Sequence, residues 1–262
     1  MSSLGFAAAD ASTMLRRNLK HVVRYPSIPL FVAGIPIVFL LLFVFVLGGT
    51  LGSGMGGTRD DYIAYIVPGI LMLALTGSAQ GTAISVATDM TEGIVARFRT
   101  MAISRGAVLT GHVLGSLIQT MAAVLLVAAV AVLIGFHPTG SPAGWLGAFG
   151  ILTLIAFAMT WLTVAMGMNA KSVETASNQP TFLMLMPFLG SGFVPTDSMP
   201  DGLRWFADVQ PFTPFIESVR GLLMGTPVAG GTMAATLVWC AVISLGGYFW
   251  ALWLYNRKSV RG

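Results

Sequence analysis

Residues 62–88 read YIAYIVPGILMLALTGSAQGTAISVAT, a run without any Asp, Glu, Lys or Arg. A helix of about 20 apolar residues crosses the hydrocarbon core of a bilayer. A charge at the centre of such a helix costs about 2.5 to 3.5 kcal/mol on insertion scales. The run is therefore predicted to cross a membrane. Four further charge-free windows accompany it, over residues 25–58, 106–170, 175–196 and 221–256.

The window 106–170 is too long for one crossing and contains the turn-rich stretch GFHPTGSP at residues 135–142. Clustered Gly, Pro and Ser residues favour a turn, so this window is divided into two helices. The chain is thus predicted to be an all-α membrane protein with a single domain over residues 1–262. Its six transmembrane helices are placed at residues 30–47, 63–86, 109–134, 145–168, 176–194 and 233–255.

The composition of the chain supports a membrane protein. Charged residues make up 9% of the chain and hydrophobic residues 55%, whereas soluble domains carry about 25% charged residues. The mean hydropathy is +0.82. Although the net charge is +4, the basic residues flank the apolar windows and form no continuous stripe. We therefore expect them to contact membrane lipids and not nucleic acid.

The distribution of Lys and Arg predicts the orientation of the chain. If the N-terminus is cytoplasmic, only Arg59, Arg204 and Arg220 lie outside, and all other Lys and Arg residues lie inside. Because cytoplasmic loops carry the excess of basic residues, both termini are predicted to be cytoplasmic.

The N-terminal segment 12–26 combines apolar residues on one helical face with Arg16, Arg17 and Lys20. This pattern fits an amphipathic helix that lies along the inner headgroups before the first span. A plain basic anchor for the first span is an equally good interpretation. No secretory signal peptide is expected, since no apolar stretch follows the basic residues within the first 25 positions.

Several motifs of catalytic chemistry are missing from the sequence. There is no G-x-x-x-x-G-K-[ST] loop for ATP phosphates, no H-E-x-x-H, no Cys/His cluster and no G-x-S-x-G. The chain is therefore predicted not to be an enzyme by itself. It is also predicted to hold no metal ion and no cofactor.

Two loops carry the most specific signals. Residues 89–105 are predicted to be cytoplasmic and mix acids and arginines with apolar side chains such as Phe98. A short helix that docks into a groove of a partner explains this mixture better than a solvated loop. Residues 195–227 are predicted to lie outside and to form short re-entrant helices before the last span, with Trp205 and Phe206 near the membrane interface.

These two loops, in the order in which they occur between the spans, resemble those of the permease subunits of type-2 ABC exporters. The resemblance is to the branch that includes the daunorubicin-resistance permeases. The cytoplasmic loop has the pattern E-G…R…S-R, formed by Glu92, Gly93, Arg97, Ser104 and Arg105. The outer segment has the pattern S-G-x-x-P…M-P…P-x-x-P…R-G, which runs from Ser191 to Gly221. The resemblance covers essentially the whole chain.

The resemblance implies several partners and roles. Two permease chains, identical or paralogous, would pair with two separate ATPase subunits that bind ATP and Mg²⁺. Residues 89–105 would form a coupling helix seated in the ATPase, braced by the N-terminal helix. The residues expected to couple the permease to the ATPase are Glu92, Arg97, Phe98, Arg99, Arg105, Arg16, Arg17 and Lys20.

The resemblance also implies a substrate pathway lined by the first, second and fifth spans. This assigns the pathway to Phe39, Phe43, Met72, Thr76, Gln80, Met184 and Phe188. Phe and Met offer broad apolar contact, which suits an amphiphilic drug or lipid better than a small ion. The expected function is ATP-driven export from the bacterial cytoplasm across the cytoplasmic membrane. Alternatives are export of a polysaccharide or glycolipid, or a membrane enzyme or scaffold without transport.

Overall fold

The computed structural model describes residues 27–91 and 105–259, and every regular element in these two ranges is helical. A π-helical turn at Leu42–Leu47 and a 3₁₀ turn at Thr196–Ser198 accompany ten α-helices in these ranges. The α-helices, in chain order, are α1 (Ser27–Leu41), α2 (Gly48–Gly54), α3 (Arg59–Thr91), α4 (Arg105–Leu133), α5 (Pro142–Asn169), α6 (Val173–Asn178), α7 (Thr181–Leu185), α8 (Asp201–Val209), α9 (Phe212–Met224) and α10 (Gly230–Ser259).

Five helical stretches within the described residues are long and apolar enough to cross a membrane. The first runs from α1 through the π-helical turn into α2, and the others lie in α3, α4, α5 and α10. They coincide with the predicted spans at residues 30–47, 63–86, 109–134, 145–168 and 233–255. Five of the six predicted helices are therefore confirmed.

The predicted helix at residues 176–194 is wrong as a continuous helix. This stretch, called the interrupted segment below, contains the end of α6, the short α7 and a series of turns up to Val194. Pro180 stands between α6 and α7, and Pro187 follows α7. Because proline lacks the backbone N–H and its ring clashes with the preceding turn, both residues oppose an unbroken helix. A crossing of the membrane by this segment stays a prediction.

The helix α3 lies at the centre of the molecule. It packs against α1, α4, α5, α6 and α9, and 83% of its most apolar window is buried, compared with 22% for α10. Small residues permit close helix contacts in membranes. A Cβ atom on Gly167 of α5 would lie 2.5 Å from the Ala83 carbonyl oxygen of α3. The helix α10 instead packs on α5 and α9 at the periphery.

The N-terminus of α3 is capped and tied to the π-helical turn. The Asp61 carboxylate accepts hydrogen bonds from the Thr58 backbone N–H and hydroxyl, each at 2.7 Å. The Thr58 hydroxyl in turn accepts from the Asp61 N–H, which completes a reciprocal capping arrangement. Arg59 donates to the Val44 carbonyl at 3.1 Å and lies over the Phe45 ring. The first and second spans are therefore joined at the predicted outer end.

The predicted turn at residues 135–142 is confirmed. Ser141 caps α5, since its hydroxyl accepts from the Gly144 N–H, and Pro142 occupies the first helical turn. The same turn contacts the C-terminal end of α9, where carbonyls lack helical partners. Gly140 N–H donates to the Leu223 carbonyl at 2.8 Å, and the Thr139 hydroxyl donates to the Met224 carbonyl at 2.6 Å.

The predicted outer segment at residues 195–227 contains two short helices, α8 and α9. In α8, Trp205 is 68% exposed, and Leu203, Phe206 and Val209 are also exposed. On the other side of α8, Arg204 forms ion pairs with Asp197 and Asp208. This two-sided character is typical of a helix at a membrane interface. The depth of α8 and α9 in a membrane stays a prediction.

Candidate functional site

Four phenylalanine rings join the first span to the interrupted segment. Phe39 of α1 and Phe43 of the π-helical turn face Phe188 and Phe193. The ring centroids of Phe188 and Phe193 lie 4.3 Å apart, and those of Phe43 and Phe193 lie 4.8 Å apart. Phe39 meets Phe188 edge-on at 5.7 Å. We call these four residues the phenylalanine cluster.

The phenylalanine cluster contains three of the predicted pathway residues, Phe39, Phe43 and Phe188. These three side chains are partly exposed, whereas Phe193 is buried. Phe193 was not predicted to line the pathway, although it lies in the S-G-x-x-P pattern beside Gly192. Its position in that pattern is the feature of the sequence that could have indicated its role.

Two other predicted pathway residues lie inside the protein core. Met72 and Thr76 of α3 are completely buried within this chain. The Thr76 hydroxyl donates to the carbonyls of Met72 and Leu73 in its own helix, at 3.0 and 3.2 Å. The hydroxyl is therefore satisfied locally, as is usual for Thr in a membrane helix.

The last two predicted pathway residues lie where α3 meets the interrupted segment. The Gln80 amide donates to the Ser177 carbonyl at 2.5 Å and reaches the Thr181 hydroxyl at 3.4 Å. Met184 approaches Gly77, where a Cβ atom would lie 3.7 Å from the Met184 Cε. Gln80 therefore joins α3 to the interrupted segment, and its predicted place on the substrate pathway stays a prediction.

A close backbone contact positions the S-G pattern of the outer segment. A Cβ atom on Gly69 of α3 would lie 2.5 Å from the carbonyl oxygen of Gly192. No side chain larger than hydrogen fits between these two backbones. The contact brings Phe193, the next residue, against the first span.

A partly buried group of polar residues surrounds Arg220 of α9. Its guanidinium lies 3.8 Å from the centre of the Tyr65 ring and donates to the Tyr65 carbonyl at 3.2 Å. A second guanidinium nitrogen donates to the Ser191 carbonyl. Burial raises the pKa of the neighbouring Glu217 carboxyl, and the positive charge of Arg220 opposes that shift. In the sequence, Arg220 is one of the outer charges and belongs to the R-G pair that ends the outer pattern, but nothing local in the sequence reveals its partners.

The predicted ATPase-coupling residues fall largely outside the described parts of the chain. Arg105 is the first residue of α4. The others, namely Glu92, Arg97, Phe98, Arg99, Arg16, Arg17 and Lys20, lie outside residues 27–91 and 105–259. Within those two ranges, no group of three His, Cys, Asp or Glu side chains could hold a metal ion.

Five membrane-length helices, of which the buried α3 is the central one, define a multi-pass helical membrane protein. The chain belongs to the ABC-2 type transporter family, whose model matches residues 10–224. The resemblance drawn from its two loops is therefore confirmed.

Similarity to individual proteins supports this family assignment. The chain is 27% identical over 257 residues to the daunorubicin resistance ABC transporter permease protein DrrB1 of Streptomyces coeruleorubidus, with 97% of this chain and 88% of the relative covered. It is also 27% identical over 235 residues to the probable doxorubicin resistance ABC transporter permease protein DrrC of Mycobacterium tuberculosis, with 89% and 84% covered. The chain is thus a permease component of a transporter, and its family implies an ABC ATPase partner.

Proposed function

We propose that this chain is the membrane subunit of an ATP-driven exporter that moves an amphiphilic or hydrophobic compound out of the bacterial cytoplasm. The phenylalanine cluster is the observation that supports this cargo class. Its rings offer apolar faces without directional hydrogen-bonding demands, and three of the four side chains are partly exposed. The resistance compounds in the names of the two relatives are of the same chemical kind.

The energy for transport comes from a separate ATPase subunit in this proposal. The sequence has no phosphate-binding loop of its own. Residues 89–105 dock into the ATPase, and Glu92, Arg97, Phe98, Arg99 and Arg105 form the contact. Arg16, Arg17 and Lys20 of the N-terminal segment brace the same junction. ATP and Mg²⁺ are bound by the ATPase and not by this chain.

The complete transporter contains two permease chains and two ATPase subunits, in the bacterial cytoplasmic membrane. Both termini are cytoplasmic, in agreement with the excess of basic residues on that side. The cargo route runs along the first span, α3 and the interrupted segment. Phe39, Phe43 and Phe188 contact the cargo directly, and Gln80 and Met184 lie deeper along the same route.

Export is tested by reconstituting the permease with its ATPase in vesicles and measuring ATP-dependent movement of daunorubicin. We expect Phe43→Ala to lower the transport rate about two- to tenfold, which is the factor that corresponds to the free energy of one aromatic contact. Phe249→Ala is the matched control, because Phe249 lies on α10 and is 63% exposed. Equal rates for wild type and Phe43→Ala would contradict the proposed route. Absence of ATP-dependent movement of any amphiphile by wild type would contradict the function.

Coupling is tested separately by ATPase assays on the purified complex. Glu92→Ala and Arg97→Ala are expected to abolish the stimulation of ATP hydrolysis by cargo, because the contact that transmits motion is lost. Asp60→Ala, at the opposite end of α3, should leave this stimulation unchanged. Full stimulation in both loop variants would refute the assigned role of residues 89–105.

A further inference from the structure

Three side chains from other elements donate hydrogen bonds to carbonyls of the interrupted segment. Gln80 of α3 donates to Ser177 at 2.5 Å, and Gln210, just before α9, donates to Met186 at 3.1 Å. Arg220 of α9 donates to Ser191. The three accepting carbonyls are spaced along the whole length of the segment.

The sequence of the segment explains why the Ser191 carbonyl needs a donor from another element. In a regular helix, the carbonyl of Ser191 would accept from the N–H of residue 195, but residue 195 is proline and has none. Pro180 and Pro187 interrupt the helix further upstream. There the segment satisfies part of its own backbone, since the Met186 carbonyl also accepts from the Leu189 N–H at 3.1 Å and the Ser177 carbonyl from the Thr181 hydroxyl at 3.4 Å. In hydrocarbon, an unpaired backbone carbonyl is strongly unfavourable, so irregular backbone persists only where protein groups satisfy it.

The Arg220 contact is the most extensive of the three. Besides Ser191, its guanidinium donates to the Tyr65 carbonyl and lies over the Tyr65 ring. Arg220 therefore connects α9, α3 and the interrupted segment at one point. A lysine at this position would keep the charge but lose the forked geometry of the donors.

These bonds act on the phenylalanine cluster, because Phe188 and Phe193 belong to the interrupted segment. Phe188 follows the Met186 carbonyl by two residues, and Phe193 follows the Ser191 carbonyl by two residues. We propose that Gln80, Gln210 and Arg220 are positioning residues for transport: they fix the course of the interrupted segment and so hold Phe188 and Phe193 against the first span. The part of this proposal that concerns transport rests on the proposed export function.

The position of the segment is measured by cross-linking in native membranes, without ATPase or cargo. Cys240 is the single cysteine, so Cys240→Ala provides a background free of thiols. Gly77→Cys and Met184→Cys then report the contact between α3 and the segment, and a short bifunctional thiol reagent links them. Neither reporter removes a ring of the phenylalanine cluster.

We expect Gln80→Leu and Gln210→Leu each to lower the yield of this cross-link about fivefold, as befits the loss of one hydrogen bond to the segment. Gln119→Leu is the matched control, because it makes the same change in α4 and should leave the yield unchanged. If a leucine variant does not accumulate, the shorter amide of Gln80→Asn or Gln210→Asn is judged by the same criterion. An unchanged yield in the Gln80 and Gln210 variants overturns the positioning role.

The effect on transport is measured with the complete complex. Arg220→Leu should raise the amphiphile concentration that half-stimulates ATP hydrolysis several-fold, and Arg220→Lys should give a smaller rise. Basal hydrolysis should stay unchanged in both, and Arg204→Leu on exposed α8 is the control. If Arg220→Leu leaves the half-stimulating concentration unchanged, the proposal that Arg220 positions the segment for transport is overturned. If no amphiphile stimulates ATP hydrolysis by the wild-type complex, the proposed export function is contradicted. The cross-linking experiment still tests the positioning of the segment, because it needs neither ATPase nor cargo.

Discussion

Glycine has a specific steric role at residue 69. The backbone of α3 touches the backbone of the interrupted segment there, since a Cβ atom on Gly69 would lie 2.5 Å from the Gly192 carbonyl oxygen. Gly81, three turns further along the same helix, has no neighbouring atom within 4 Å of the equivalent Cβ position. A comparison of substitutions at the two glycines therefore distinguishes the steric effect of a side chain from its effect on helix propensity.

Gly69→Ala is expected to destabilise the protein by about 1 to 3 kcal/mol relative to Gly81→Ala, the usual cost of overpacking. Alanine favours a helix over glycine by about 1 kcal/mol at both positions, so this gain cancels in the comparison. The measurement is thermal unfolding of the purified protein in detergent. Equal midpoints for the two variants would show that the Gly69–Gly192 contact is not tight.

Two hydroxyl groups form a buried hydrogen bond between α3 and α4. Thr120 donates to the Ser78 hydroxyl at 2.8 Å, and both residues are almost completely buried. A double-mutant cycle with Ser78→Ala and Thr120→Val should give a coupling of about 0.6 kcal/mol, since interhelical hydrogen bonds in membranes average that value. Unfolding in denaturing detergent measures it. Strictly additive effects of the two substitutions would argue against the bond.

At the scale of elements, the helix ends follow from recognisable local chemistry. Ser141 followed by Pro142 starts α5, and the T-x-x-D pattern of Thr58 and Asp61 starts α3. These signals depend on near neighbours in the chain, so they can be found in the sequence. The turn at residues 135–142 was predicted for this reason, and its contact with the end of α9 was not.

Ser141→Ala should lower the stability of the protein by about 1 kcal/mol, because the cap of α5 is lost. Ser141→Asp should restore it, since aspartate also accepts the Gly144 N–H and its charge suits a helix N-terminus. Thermal unfolding in detergent compares the three proteins. A midpoint for Ser141→Asp as low as that of Ser141→Ala would assign the loss to something other than capping.

At the scale of the whole molecule, the orientation and the sixth crossing are tested together. In the Cys240→Ala background, Asp197→Cys should react with an impermeant thiol reagent in intact cells, whereas Lys171→Cys should react only after permeabilisation. Both side chains are exposed, so access depends on the side of the membrane. Labelling of both positions from one side would mean that the interrupted segment does not cross.

The sequence alone determined the class of the protein, because the exclusion of charge from hydrocarbon is a rule about composition. Five spans, the break at residues 135–142 and the family all followed from patterns within short stretches of chain. Phe39, Phe43 and Phe188 were assigned to the pathway through the family resemblance, and their role in transport stays a prediction.

Only the tertiary structure decided how the stretch at residues 176–194 is built. Its apolar composition predicted one helix, but prolines interrupt it, and its carbonyls bond to Gln80, Gln210 and Arg220 from far along the chain. The same folding brought Gly69 to Gly192 and Phe193 to Phe43. Such contacts depend on the relative placement of distant elements, and no local pattern of residues encodes that placement.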